Sequence, residues 1–180
     1  MKTISLIAFL FCVTNLSAQT NNYTVTKVFN EGEFSYQCNV SPVGSVELYN
    51  TANNWIGIDQ KIKETNQTFA SEDAYTDLIT DESWRQNRTE IRVIMRNALA
   101  GIDEATLERG GTLYVNFFVN TETGDVNDVR FSFDRDSCFV YLPISFFRQL
   151  ELAFKENCQY VLTDFAESLN YVYQWATLNL

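Results

Sequence analysis

The chain has 180 residues, 23 acidic against 13 basic side chains, a formal net charge of −10 and no histidine. A charge of that sign repels nucleic acid and anionic lipid, so neither is expected as a partner. The lack of histidine excludes Ser-His-Asp and Cys-His nucleophile systems, histidine metal sites and histidine acid–base catalysis together.

Lys2, an apolar run over residues 4–13 and the small-residue exit Leu16-Ser17-Ala18 have the three parts of a secretory signal peptide. Cleavage is expected after Ala18. The run is about half the length needed to cross a bilayer, and no later run is long enough, so no membrane span is expected. The expected location is the periplasm or the cell exterior. Residues 19–180 suit one domain with a hydrophobic core. They keep three cysteines, Cys38, Cys138 and Cys158. Export predicts one disulfide and one spare thiol. A helix over 145–157 would hold Cys138 and Cys158 about 20 Å apart, which favours Cys38 with Cys138 or Cys158.

Residues 23–30, 33–40 and 45–49 are rich in Val, Phe and Tyr and are separated by Asn30-Glu-Gly32 and Ser41-Pro-Val-Gly44. They predict an antiparallel meander burying Val25, Phe34, Tyr36, Cys38, Val46 and Leu48. Residues 50–81 predict a long packed loop with one helical turn, anchored by Trp55, Ile56, Ile58, Phe69, Tyr75 and Leu78. Helical periodicity follows over 82–100. Trp84, Ile91, Ile94, Met95, Ala98 and Leu99 fall within an arc of roughly 140°, and Arg85, Arg88, Arg92 and Arg96 within about 80° beside it.

A second helix is expected over 103–109, with Asp103 as N-cap and Gly110 ending it. A hairpin follows, with strands 112–120 and 125–133. Leu113, Val115, Phe117 and Val119 share its core face, and Gly124 supplies the turn. Val126 is out of phase with Val129, Phe131 and Phe133, which predicts a bulge near Asn127-Asp128. A helix over 145–157 should cover the hairpin through Phe146, Phe147, Leu150, Ala153 and Phe154, with Glu151 and Lys155 as an exposed i,i+4 pair. The last predicted strand spans 171–180.

The order helix, strand, strand, helix, strand is carried by Leu113-Tyr-Val-Asn-Phe-Phe-Val119, Gly124-Asp-Val126, Val129-Arg-Phe131 and the Leu150–Phe154 helix. It resembles the C-terminal domain of TonB and its relatives, and also small exported bacterial proteins of unknown function. The fold class expected is therefore α+β: an antiparallel sheet with a TonB C-terminal-like α-β-β-α-β core over residues 80–180 and an N-terminal β-meander over 19–49. The resemblance implies that a sheet edge accepts an extended peptide by strand addition. A cleavable leader and only two prolines, Pro42 and Pro143, depart from the anchored, proline-rich plan of TonB itself.

No catalytic, cofactor or metal residues are assigned. Asp103, Glu104, Asp134 and Asp136 read as solvated turn and cap carboxylates, Gly110-Gly111 lacks phosphate-loop spacing, and 120–125 reads as a hairpin turn rather than a calcium loop. Two surfaces remain as candidates. Arg85, Arg88, Arg92 and Arg96 could receive an acidic partner, or be neutralised by the chain's own carboxylates. Tyr171, Tyr173 and Trp175 share a strand face and could grip a peptide or stack on sugar, or pack against the N-terminal sheet. The function expected is an exported, non-enzymatic module that binds a protein or peptide. The alternative is a carbohydrate-directed protein, binding or carboxylate-based hydrolytic.

Overall fold

Period-two alternation of apolar and polar side chains builds one six-stranded antiparallel sheet with two unlike faces. The computed structural model describes residues 21–69 and 78–180; the expected leader and Tyr75 lie outside them. The strands are β1 (Lys27–Glu31), β2 (Phe34–Val40), β3 (Ser45–Asn50), β4 (Thr112–Val119), β5 (Val126–Asp134) and β6 (Val172–Asn179), in sheet order β1-β2-β3-β5-β4-β6. The helices are α1 (Asp81–Leu99), α2 (Glu104–Leu107), α3 (Ile144–Asn157) and α4 (Asp164–Glu167). The α+β class holds, and the meander and the hairpin form one sheet, because β3 pairs with β5 from Ser45↔Asp134 to Tyr49↔Arg130.

The helix-covered face carries the core. Val46, Leu48, Leu113, Val115, Phe117, Phe131 and Phe133 are buried on it. α3 lies across the hairpin, with Phe147 stacked on Phe133 at 5.3 Å and Phe154 edge-on to Phe117 at 5.1 Å. Each fully buried ring of this kind stabilises the fold by roughly 1.5–3 kcal/mol. The bulge falls where the phase break predicts it: Phe118 pairs with Asp128 but Val119 with Val126, which leaves Asn127 over.

Four expectations are corrected. Val25 is exposed and the first strand starts at Lys27; Tyr23 takes the buried place, its hydroxyl donating to the Leu142 carbonyl at 2.9 Å. Trp84 is exposed, while Ser83 and Asn87 are buried on α1. The first turns of that helix dock through polar contacts: Ser83 Oγ accepts from Val161 N at 2.8 Å, and Asn87 Nδ2 donates to Gln159 O at 2.8 Å. Glu151 is buried rather than exposed, because it faces Tyr36 of β2, although its bond to Lys155 is present at 2.6 Å. Finally, Cys38, Cys138 and Cys158 are all buried free thiols, so the expected disulfide is not formed. Each sulfur is packed into the apolar core as a small hydrophobe instead.

Residues 50–69 run through bends and turns, one of them an i→i+4 turn closed by Asn66 N on Ile62 O at 2.8 Å, and residues 70–77 of the predicted loop lie outside the described residues. The described segment crosses one end of the helix-free face, where Asp128 Oδ2 accepts from Asn54 N at 2.7 Å and Trp55 N at 2.8 Å, and Trp55 packs on Tyr171 at 5.2 Å. Burial raises the Asp128 pKa above the ordinary carboxylate value, against the lowering effect of these two N–H donors.

Candidate functional site

The two sheet edges differ in kind. β1 has five residues and carries Lys27 and Glu31, features that discourage pairing with another chain. β6 has eight residues, Val-Tyr-Gln-Trp-Ala-Thr-Leu-Asn, with no charge, no proline and a continuous register against β4. Among the described residues, no strand of the sheet lies beyond it.

One hydrogen bond fixes which groups this edge presents. Leu180 N donates to Gly111 O at 3.0 Å, in the register that pairs Thr112 with Asn179. In an antiparallel ladder, alternate residues exchange both hydrogen bonds with the neighbour. Val172, Gln174, Ala176 and Leu178 therefore face β4 with their backbone groups, and Tyr173, Trp175, Thr177 and Asn179 direct theirs outward. Side chains alternate the other way, above and below the sheet. Gln174, Ala176 and Leu178 lie on the helix side, while Tyr173, Trp175 and Thr177 lie on the helix-free side beside Phe118, Asn116 and Tyr114.

Beside this edge runs a groove of about 730 Å³, bounded by α1 from Trp84 to Leu99 and by β6 from Gln174 to Asn179. The geometry brings together residues at least 75 positions apart in sequence. Arg88, Arg92 and Arg96 line the groove; Arg85 is exposed outside it. Ile91 and Met95 form its floor, and Arg88 sits over the Trp84 ring at 5.0 Å. Among the described residues, none of the four arginines has a carboxylate within 4.0 Å; the only ion pairs are Arg130–Glu47 and Lys155–Glu151. Neutralisation by the chain's own acids is thus not what the arginine row does among these residues. The opposite flank of α1 has the reverse sign, a polar cleft bearing Glu90, Glu122, Glu156 and Glu167.

The aromatic candidates separate. Tyr171 is buried, its hydroxyl donating to Ile58 O at 2.7 Å, and burial raises its pKa. Tyr173 is 36% and Trp175 63% exposed, with Tyr173 Oη donating to Asn116 Oδ1 at 2.5 Å. They do not pack against the N-terminal strands, which extend the same sheet on its far side. Sequence reasoning missed Tyr114, 47% exposed directly across from Thr177. Its alternation with the core face marked it as outward, but not as a neighbour of Trp175. Asp103, one of the carboxylates considered for catalysis, is used as the α2 cap: it accepts from Thr106 N and Thr106 Oγ1, bonds that hold its carboxyl below the usual carboxylate range. Among the described residues, no three cysteine or carboxylate side chains are grouped to hold a metal ion. No helix among them is long and apolar enough to cross a membrane.

Fold and groove define an α+β protein with a single antiparallel sheet, one long uncharged edge and a basic trough beside it. The chain belongs to the family described as a domain of unknown function, DUF5043, whose profile matches residues 19–175. Among solved structures, it is similar to the crystal structure of a DUF5043 family protein from Bacteroides uniformis ATCC 8492. That likeness has a TM-score of 0.73 at 22% identity, over 88% of this chain and 93% of that one. It is a likeness of fold. A relationship to the TonB C-terminal domain is not among these matches. No curated protein matches the chain.

Proposed function

We propose that the protein is an exported, non-enzymatic interaction module that takes an extended segment of a partner protein onto the outer edge of β6. The observation that supports this reading is an eight-residue edge with no charge and no proline, its outward N–H and C=O groups unpaired among the described residues, beside an open groove. An added strand would satisfy those groups and cover the apolar floor formed by Ile91 and Met95. The family match beginning at residue 19, next to the expected cleavage point, supports the export part of the reading.

The test is capture from a cell-envelope extract by the wild-type protein and by Thr177→Pro. Thr177 directs its N–H away from β4, so proline there removes an outward donor and leaves the β4–β6 ladder bonds in place. A partner held by the wild type and lost by the variant, with circular dichroism unchanged, is the expected result. Equal capture by both would rule out the edge.

A carbohydrate-binding reading has one observation in its favour, the exposed trio Tyr114, Tyr173 and Trp175 on the helix-free face. Hydrolysis is not favoured, since Glu47, a carboxylate of that face, is held by Arg130 at 3.2 Å. A glycan array that binds the wild type but not Trp175→Ala would establish this second reading.

A further inference from the structure

Resting on the strand-addition reading, we infer that the guest strand is acidic on alternate residues, so that its carboxylates enter the groove and meet Arg88, Arg92 and Arg96. The argument is one of pitch, sign and symmetry.

Arg88, Arg92 and Arg96 are spaced i, i+4, i+8 on α1, a repeat of about 6 Å along the helix axis. Side chains on one face of a strand recur every two residues, about 6.6 Å apart. Over three positions the two rows therefore run about 12 Å and about 13 Å, a mismatch that arginine side chains absorb. The groove follows four turns of α1 and six residues of β6, so the two rows lie alongside each other. A strand added to β6 puts every second side chain on the helix side, in line with Gln174, Ala176 and Leu178, and so under the arginines. Its other side chains fall on the helix-free face beside Tyr173, Trp175 and Thr177.

The three guanidinium groups are exposed and, among the described residues, have no carboxylate of their own. Carboxylates arriving there make charge-assisted bonds without displacing a pair formed among those residues. The net charge of −10 opposes an acidic guest only at long range. At physiological ionic strength that repulsion is screened beyond about 8 Å, and the local arginines decide.

A second copy of this chain is disfavoured as the occupant. Pairing two β6 edges about a two-fold axis puts both α1 helices on the same face and sets one arginine row against the other. Nor does the chain contain a segment with three acidic residues at alternate positions.

The test is fluorescence polarisation of labelled ten-residue peptides against the whole protein. One peptide alternates valine or threonine with three glutamates; the second has glutamine in their place; the third has the same composition with the glutamates contiguous. A fourth is the first with N-methyl groups on the amides that would face β6. We expect the alternating glutamate peptide to bind and the glutamine peptide to bind about tenfold weaker or less. The contiguous and N-methylated peptides should also bind more weakly. The variant R88Q/R92Q/R96Q, folded by circular dichroism, should bring the glutamate-to-glutamine ratio to about one. Equal binding of the glutamate and glutamine peptides, still sensitive to N-methylation, overturns the acidic reading and leaves strand addition standing. Glutamate binding insensitive to N-methylation overturns strand addition, and no binding by any peptide overturns both.

Discussion

The hydroxyl of Tyr36 on β2 donates its hydrogen bond to the carboxylate of Glu151 on α3, a side chain with no exposed surface. Burial, and then the neighbouring carboxylate, raise the tyrosine pKa well above its ordinary value. Lys155 reaches the other carboxylate oxygen at 2.6 Å from a half-exposed position. Two charges and a phenol thereby clamp the covering helix to the N-terminal meander.

Removing the carboxylate leaves the buried phenol unsatisfied while Lys155 returns to water. Glu151→Ala is expected to destabilise the fold by about 2–4 kcal/mol, through the lost bond and the space left behind. Glu151→Gln keeps an acceptor for Tyr36 and should cost less. Urea unfolding followed by circular dichroism ranks the two, and equal loss would mean that packing, not the hydrogen bond, holds α3 to β2.

Gly124 is conformationally and sterically obligatory. Its φ is +73°, and a Cβ there would lie 2.0 Å from the carbonyl oxygen of Tyr160, whose N–H in turn donates to Gly124 O at 2.7 Å. Gly124→Ala therefore combines a left-handed backbone penalty with a clash against main chain. A loss of about 2–4 kcal/mol is expected, against about 1 kcal/mol or less for Gly32→Ala, where φ is also positive but the space is open. Thermal melts of the two variants check the difference.

The thiols give the fold an alkaline limit. Burial pushes Cys38 up to about 11 and Cys158 up to about 12, from an ordinary value of 9.0, and raises Cys138 as well. These groups stay protonated in the folded state while the unfolded chain ionises. Their stabilising contribution is thus complete below pH 9 and is lost as pH rises from there through 11 and 12, at up to about 1.4 kcal/mol per pH unit for each thiol. Unfolding midpoints measured from pH 7 to 11 should be flat to about pH 9 and then fall. At neutral pH a thiol reagent should label none of the three until urea is added, and labelling of only one after unfolding would reveal a disulfide instead.

The hairpin, its bulge and its covering helix were legible because their signals are local. Phe117, Phe131 and Phe133 alternate along single strands, and the bulge follows from one odd offset at Val126. What sequence could not show depends on partners far along the chain. Trp84 fits the apolar stripe of α1 by angle, yet that end of the helix docks on the backbone at residues 159–161 and takes Ser83 and Asn87 inward. Glu151 reads as a surface partner of Lys155 until Tyr36, 115 positions away, is placed above it. The candidate site has the same character. The arginines were visible as a row and Trp175 as part of an outward face, but the groove between them exists only once β6 pairs with β4.

The strand order also sets a timetable for synthesis. β1, β2 and β3 pair through short turns and can form as soon as they leave the ribosome, but β3 meets β5 only after Phe133, 87 residues beyond its partner Val46, has been made. During that interval Val46 and Leu48 have no hairpin beside them, and β3 presents an unpaired, apolar edge. The hairpin closes that edge from one side and then receives β6 on the other, as the last strand to be made. A nascent chain stalled before Gly110 should therefore bind holding chaperones through β3, and release them once β5 has emerged.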